Sequence, residues 1–584
     1  MSRNSLTLDP FNSSANSGLE PVSSRWNRFK NSFKPAQEDD PEFGSNVFVS
    51  KLQIKVDDEE LTDLQRAAIK SSKTQLSSQL SLRHLLMIAI GATIGTGLFV
   101  NSGAALNTGG PASLIIGWCI VATMIYPTLM ALAELCVAFP VTGGFITHAT
   151  RFVDPSFGFA MGWCYAVQWI VALPLTLVAA AITIRYWRQD INSDVWVAVF
   201  YVFIFLLNML HVRHFGETEV FFGVVKLLAI AGFFILGIVM ICGGGPQGGY
   251  IGGEYWHDPG AFANGFKGVC SVFVTAAFSF AGSEVIGMTA AETEDPRQTI
   301  PAATKRTFWV ITLSYTIILI LIGCLVPWNE PRLTTGDSYA AVSPFVISIK
   351  NAGIKGLPSL MNVIILFAIL SVANSSVYAT SRVLSSLADI GFAPSFLGYI
   401  DRTGRPLYAN LVTFFFGLIA FVAASDKQSE VFVWLLAMTA LSTIFAWVGI
   451  CGAHIRFRLA LKQQGRTVNE LTYVAPYGIY GSTYGIIMNF VVVMGQFWVA
   501  LFPGSKADAK AFFEIFLSLV LFIVLYFGHK IYKRNWKIWI RLSEVDIDTG
   551  RKHFDIELLK QEIIYENERV AASPWWYRLY KVLC

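Results

Sequence analysis

Glycines and charges break the apolar pattern at three places in this chain of 584 residues. Gly91, Gly95 and Gly97 crowd the stretch MIAIGATIGTGLFV. Gly282, Ser283 and Glu284 interrupt FVTAAFSFAGSEVIG, and Lys226 falls inside EVFFGVVKLLAIAGFF. A glycine inside a helix costs about 1 kcal/mol relative to alanine, so three within one run invite an unwound segment. The competing reading is close helix packing through the Gly91–Gly95 pair, spaced as G-x-x-x-G. A charge at the centre of a spanning helix costs about 2.5–3.5 kcal/mol even on lenient scales, so Glu284 is expected to face a cavity or a partner. The alternative for Glu284 is a carboxylate bonded to backbone amides near the membrane boundary. Lys226 either works inside the membrane, where an amine can change protonation during a cycle, or snorkels to the nearby interface.

The chemistry of two such breaks follows from the backbone. Amides freed at Gly95, Thr96 and Gly97 carry the positive end of a half-helix dipole and suit a carboxylate. Carbonyls freed around Phe278, Ser279, Phe280 and Gly282 suit an ammonium group. A zwitterion satisfies both, which points to an α-amino acid.

These residues need elements that hold them in a bilayer, and the composition supplies them. Hydrophobic residues make up 54% of the chain and charged ones 14%, against about 25% charge in soluble domains. The net charge of +4 gives no hint of a nucleic-acid partner. From His84 onward, apolar runs of roughly 20 residues recur, the length that crosses a bilayer as helix. About twelve spans are expected, centred near 95, 125, 170, 202, 230, 277, 316, 370, 415, 442, 491 and 522. The fold class expected is therefore all-α, a membrane protein. Gly-interrupted runs at matching positions suggest two inverted halves of five helices, broken in helices 1 and 6, plus two additional helices.

The domain order read from this is a tail over 1–80, a first repeat over 81–240, a Gly-rich loop over 241–265 and a second repeat over 266–455. Two last spans with their preceding loop occupy 456–533, and a second tail 534–584. The N-terminal tail reads as disordered and cytoplasmic, with a short helix over 56–72. Met1 to Pro10 lack the apolar core of a signal peptide, so the first apolar run serves for insertion. Loop charges bias both tails weakly to the inside, and Lys530, Lys533, Arg534, Lys537 and Arg541 after the last span decide it. Seven cysteines lie singly in or beside apolar runs and read as free, buried thiols. No cofactor or metal motif appears, and neither a P-loop, H-E-x-x-H nor G-x-S-x-G is present, so neither an ATP-driven pump nor a hydrolase is indicated.

Seven stretches in fixed order carry a family resemblance: MIAIGATIGTGLFV (87–100), TGGPASLIIGW (108–118), ALAELCVAFPVTGGF (131–145), AAFSFAGSE (276–284), AAETEDPRQTIPAA (290–303), DRTGRP (401–406) and GHKIYKRNWK (528–537). With them the chain resembles the yeast amino-acid transporter family of the amino acid–polyamine–organocation superfamily. Residues 255–262 and DIDTGR (546–551) resemble its general, broad-range permeases. The resemblance implies alternating access at the plasma membrane, with the substrate carboxylate at the Ile94-Gly95-Thr96-Gly97 break and its amine at the sixth-span carbonyls. It implies an aromatic gate at Phe278, and at Lys226 a position where relatives replace a sodium ion. No sodium cage is legible, so a proton is the coupling ion expected, with Lys226 and Glu284 as its groups.

One position departs from that pattern. Where the family usually has Leu-Pro-Leu-Glu, this chain reads Leu173-Pro174-Leu175-Thr176. A threonine hydrogen-bonds but does not titrate, which leaves open an exchanger or a non-transporting sensor, and weakens selectivity for cationic side chains. A permease of narrow range, for example for a sulfonium amino acid, is a further alternative. Gln168, Thr439 and Ser442 are candidate side-chain pocket residues. Lys30, Lys34, Lys51, Lys55, Lys70 and Lys73 supply tail amines that the resemblance assigns to ubiquitin-ligase machinery. Trp575, Trp576, Tyr577 and Tyr580 suit a membrane-lipid interface, and Cys584 resembles a palmitoylated end.

Overall fold

The computed structural model describes residues 32–35, 80–551 and 574, without 189, 211, 247–248, 294, 334–342, 423–434, 436–438, 440 and 503–507. The remaining tail lysines, the helix expected over 56–72, the aromatic cluster at 575–580 and Cys584 lie outside the described residues. Among the described residues there is no sheet, only two isolated bridges, Pro35 with Asp401 and Leu80 with Thr293. Everything else is helix and connection, as hydrocarbon requires when each backbone group must find its partner within the segment.

In chain order the main helices are α1 (Leu82–Thr93), α2 (Ser102–Ala138), α3 (Phe145–Phe152), α4 (Pro155–Ile184), α5 (Ser193–Asn208), α6 (Val212–Ile241) and α7 (Gly265–Phe280). They continue as α8 (Pro296–Leu325), α9 (Pro344–Asn351), α10 (Leu357–Asp389), α11 (Leu407–Gly417), α12 (Ser442–Gln463), α13 (Gly478–Leu501) and α14 (Ala509–Lys533). Nine described stretches are long and apolar enough to cross a membrane, and the first, Leu82–Ala138, has 57 residues and room for two crossings. Two shorter apolar helices, Ser193–Asn208 and Leu407–Phe421, complete the expected set. Around the tenth expected span the described helix runs Ser442–Gln463, and Leu435 and Thr439 before it are helical too. Arg456, Arg458 and Lys462 extend the helix beyond the apolar run that set the expectation.

Burial is sorted as a bilayer demands. Leu206, Leu228, Ile235, Phe415, Phe490 and Val524 are exposed on the outer flanks, while Asn208, Glu219, Lys226, Glu284 and Asn374 are buried inside the bundle. In lipid there is no penalty for an exposed leucine, and a polar group is tolerated only in the interior. Among the cysteines, Cys136, Cys164, Cys270 and Cys451 are buried, but Cys119 and Cys242 are exposed on the flanks, where an apolar surroundings-facing thiol costs little. All seven described cysteines are free.

The first two spans are divided inside α2 at Gly110, whose φ of 81° only glycine adopts without strain. The turn is held by the loop before α7: Ala263 N–H donates to Gly109 O and Ala112 N–H to Ala261 O, both at 3.0 Å. That loop is less irregular than its glycine content suggested. It contains a helical turn, Trp256–Gly260, and docks on the α2 kink instead of hanging free.

At the bundle end that carries the tails, residues 540–551 form a strap over α3. Arg151, 4% exposed, donates to the carbonyls of Asp546 and Thr549 at 2.6 Å and pairs with the Asp546 carboxylate at 2.9 Å. Arg456 joins Phe152 O to Ile540 O, and Val545 and Ile547 are buried against Phe139, Phe152 and Phe457. On the same end, Ser32–Pro35 of the N-terminal tail is bound, not solvated. Tyr399 donates to Phe33 O (2.8 Å), Arg402 N–H to Lys34 O (2.9 Å), and the Arg405 guanidinium lies over the Phe33 ring at 4.5 Å.

Burial alone would raise the Asp546 carboxyl, but Arg151 and the N–H and hydroxyl donors of Asp548 and Thr549 together hold it below the usual aspartate range. A depressed carboxyl stabilises above its unfolded value of about 3.9 and loses that contribution as pH falls through the folded value. The strap is therefore expected to stay closed from neutral pH to about pH 4 and to open only below it. Arg151→Ala removes a buried partner and costs about 3 kcal/mol locally. Limited proteolysis after α14 should then be faster by roughly a hundredfold, while unchanged cleavage would show that the strap closes without this pair.

Candidate functional site

Helix α1 stops at Thr93. Ile94 is extended (φ −78°, ψ 98°), and the chain resumes helical geometry at Thr96. Opposite, α7 ends at Phe280, Ala281 is extended (φ −58°, ψ 138°), and Gly282 takes a φ of 98° before helix returns at Val285–Met288. Both interruptions expected from the glycines are present. They also touch: a Cβ at Gly282 would lie 2.8 Å from Ala92 Cβ, and one at Gly97 would lie 2.9 Å from Ser279 Cα. Glycine is required there because two broken backbones pass at van der Waals distance.

The amides of Gly95 and Thr96 donate to no described residue. The carbonyl that Gly95 N–H would bond in an unbroken helix is Gly91 O, four residues back. That oxygen instead accepts from Lys226 Nζ at 2.7 Å. The lysine is fully buried and does not reach the interface, so the snorkelling alternative is not what is observed. Its amine takes the place of the missing amide and leaves that amide exposed to the cavity.

Across the break, Tyr315 ties the two interruptions together. Its hydroxyl lies 3.1 Å from Thr93 O and 2.9 Å from Ser279 O. The carbonyls expected to meet an ammonium are each already used once. Phe278 O accepts from Ala281 N–H, Ser279 O from Tyr315, Phe280 O from Ser283 N–H and Gly282 O from Val285 N–H. A carbonyl has two lone pairs, so one remains on each.

Between the breaks and α4 lies a cavity with about 680 Å³ of empty space, part of it open solvent. Of the residues singled out in the sequence, Gly95, Thr96, Gly97, Phe278, Gln168, Thr176 and Thr439 line it. Ile94, Ser279, Phe280 and Gly282 shape the breaks behind the lining, and Ser442 lies off it. Asn101, Trp169 and Val372 also line the cavity and carried no signal in the sequence. No lining residue is charged. Thr176 donates to Ala172 O (2.7 Å) and Leu173 O (2.9 Å), turned back on its own helix. Gln168 and Thr443 hold each other at 2.7 and 3.0 Å. The cavity reaches Asn101 and Ala179, toward the end of α4 away from the strap. Below it, Arg382 pairs with Glu292 at 3.0 Å beside Tyr378, which stacks on Phe215.

Glu284 is fully buried but lies outside the cavity. Its oxygens accept from Tyr165 OH (2.7 Å), Gly282 N–H (3.1 and 3.2 Å) and Trp447 Nε1 (3.2 Å). The carboxylate thus locks the sixth-span break to α4 and α12. Sequence reasoning missed a second buried carboxylate, Glu219 on α6, which accepts from Asn374 Nδ2 (2.6 Å) and Ser371 Oγ (2.7 Å). It stands seven residues before Lys226, two helical turns, and that spacing was the available signal.

The family model described as amino acid permease matches residues 84–542. The chain is similar to the histidine permease of Saccharomyces cerevisiae, 56% identical over 88% of this chain and 87% of that protein. It is similar to the general amino-acid permease GAP1 of the same yeast, 52% identical over 98% and 94%. A third relative is the S-adenosylmethionine permease GAP4 of Candida albicans, 46% identical over 96% and 91%.

Proposed function

The chain belongs to the amino acid permease family, and from that membership we propose that it takes up α-amino acids of broad range by alternating access, in symport with a proton. The observation that carries the reading is the pair of facing breaks, with the Gly95 and Thr96 amides unbonded beside half-used carbonyls of α7. A substrate carboxylate docks on the amides and its ammonium on the carbonyls, while Phe278 covers the bound molecule. The side-chain end of the cavity is neutral and mixed: Gln168, Thr176 and Thr439 are polar, and Trp169 and Phe278 are aromatic. Such a lining accepts many neutral side chains and offers no counter-charge to cationic ones.

The membrane is the plasma membrane, with both tails, the strap and the docked Ser32–Pro35 segment on the cytoplasmic side. The tail lysines are substrates for ubiquitin-ligase machinery, and Cys584 carries a lipid. The two inverted repeats supply the rocking motion. The relatives' printed substrates differ, histidine in one and S-adenosylmethionine in another, so breadth is a matter for a panel of amino acids. Uncoupled exchange is the second reading, favoured by the absence of any titratable side chain in the cavity lining.

Uptake of labelled amino acids by permease-deficient cells, across pH and with a protonophore, separates the two. Symport requires accumulation above equilibrium that the protonophore abolishes; accumulation indifferent to it leaves exchange. Thr176→Glu places a carboxylate against the cavity. It is expected to raise uptake of lysine and arginine relative to leucine by about tenfold, one well-placed charge contact being worth about 1.4 kcal/mol. An unchanged preference would mean that position 176 does not reach the substrate side chain.

A further inference from the structure

Six carboxylates are buried among the described residues, and four of them are in ion pairs. Glu134 pairs with Arg458 and His454, Asp154 with Lys530, Glu292 with Arg382 and Asp401 with Arg405. Glu219 and Glu284 are hydrogen-bonded by neutral groups alone, although the buried Lys226 ammonium acts on Glu219 through space. The two differ in what those groups can do. Tyr165, Trp447 and the Gly282 amide all donate to Glu284; the indole and amide offer nothing back, and the Tyr165 hydroxyl, which could, makes no bond to a second acceptor among the described residues to which its own proton would turn. Glu219 meets Ser371, whose hydroxyl donates or accepts equally well.

Ser371 Oγ lies 2.7 Å from Glu219 Oε2 and 3.4 Å from Gly91 O, the same oxygen that accepts from Lys226. Two complete hydrogen-bond patterns therefore exist without moving a helix. With Glu219 ionised, Ser371 donates to it. With Glu219 protonated, its O–H donates to Ser371, and the Ser371 hydroxyl turns to Gly91 O. Gly91 leaves room for this because it has no side chain: a Cβ there would lie 2.1 Å from Glu219 Oε2.

We propose that Glu219 binds the coupling proton of the transport cycle, and that Ser371 relays its protonation state to the Gly91 carbonyl at the first-helix break. The step is a protonation, carboxylate plus one proton giving the neutral acid, reversed when the site opens to the other side. This rests on the symport reading above and moves its proton from Lys226 and Glu284 to a residue no motif had marked.

Other ionisable groups facing α6 are committed elsewhere. From α1, Arg83 and His84 both bond Glu217 (2.5 and 3.1 Å). From α8, Tyr315 serves Thr93 and Ser279. From α10, Tyr378 and Arg382 serve Glu292. Helix α5 contributes the neutral Asn208, bonded to Asn374 Oδ1 at 2.9 Å. Arg213 and His214 sit at the tail end of α6 itself, and Lys226 is the remaining charge on that helix near Glu219.

The test uses the full chain in proteoliposomes with labelled alanine, leucine and histidine, read as proton-gradient-driven accumulation and as counterflow without a gradient. Glu219→Gln is expected to lose at least tenfold in accumulation while counterflow stays within about threefold. Ser371→Ala is expected to move the pH midpoint of uptake upward, because a carboxylate deprived of a donor holds its proton more tightly, and to weaken accumulation more than counterflow, because the relay to Gly91 O is gone. That second variant decides the matter if Glu219→Gln does not insert. Accumulation by Glu219→Gln with the wild-type pH profile would overturn the proposal alone, as would equal loss of accumulation and counterflow. A wild-type protein that never accumulates under a proton gradient would instead overturn the symport reading, and this proposal with it.

Discussion

Gly282→Ala is expected to abolish amino-acid uptake, by a hundredfold or more, in protein that still reaches the membrane. The residue has a φ of 98°, where a Cβ is strained whatever surrounds it, and strain of this kind costs about 1–3 kcal/mol. Here space is lacking too: the added carbon would lie 2.8 Å from Ala92 Cβ and 3.0 Å from Ala92 C, the backbone of α1 just before its own break. Relief requires moving one broken segment away from the other. That separates the amides of Gly95 and Thr96 from the carbonyls of α7, the two ends that a zwitterion must reach together. It also disturbs Gly282 N–H, which holds both oxygens of Glu284. Gly465→Ala is the control. Its φ is 74°, yet nothing lies within 4 Å, so it bears the backbone strain alone and uptake should change by less than about threefold. Surface biotinylation beside labelled uptake reads both. Near-normal uptake by Gly282→Ala would mean that the apposed breaks do not form the substrate site.

The breaks were legible in the sequence because glycine clusters announce a backbone conformation, and conformation is a local property. Gly95 and Gly97, and Gly282 with Ser283, interrupt apolar runs in a way that can be read without knowing the neighbours. The twelve-span layout was legible for a similar reason, since a bilayer imposes one length and one composition on every crossing. What escaped was set by neighbours distant in sequence. Glu219 reads as one of several charges in RHFGETEV at a helix end, next to Glu217, which is in fact half-exposed and paired with Arg83 and His84. Only the arrival of Ser371 and Asn374, more than 150 positions later, buries one of these glutamates and not the other. Tyr315 looked like any aromatic in an apolar run until two broken helices offered it carbonyls. Glu284 was legible as an expensive charge in need of partners. Their identity, Tyr165 on α4 and Trp447 on α12, was not, because each comes from a different span.

Lys226→Met is expected to be as damaging as Gly282→Ala, for a reason that concerns binding more than coupling. Methionine fills the space of the buried stem but cannot donate, so Gly91 O loses its 2.7 Å partner. The Ser371 hydroxyl, 3.4 Å away, is held by Glu219 while that carboxylate is ionised, and an unsatisfied buried carbonyl costs about 1–3 kcal/mol. Gly95 N–H stands where helical geometry would place a replacement donor, and re-forming that bond restores the helix across the interruption. The amide then points along α1 and no longer at the cavity, so the substrate carboxylate loses a charge-assisted donor at the moment the helix gains an ordinary one. Equilibrium binding of labelled substrate to purified protein should fall by about a hundredfold, together with uptake, at unchanged surface level. If Lys226→Met binds substrate like the wild type and loses only gradient-driven accumulation, the lysine belongs to the proton machinery alone. In that case the first break is kept open by glycine conformation and by Tyr315, not by competition for the Gly91 carbonyl.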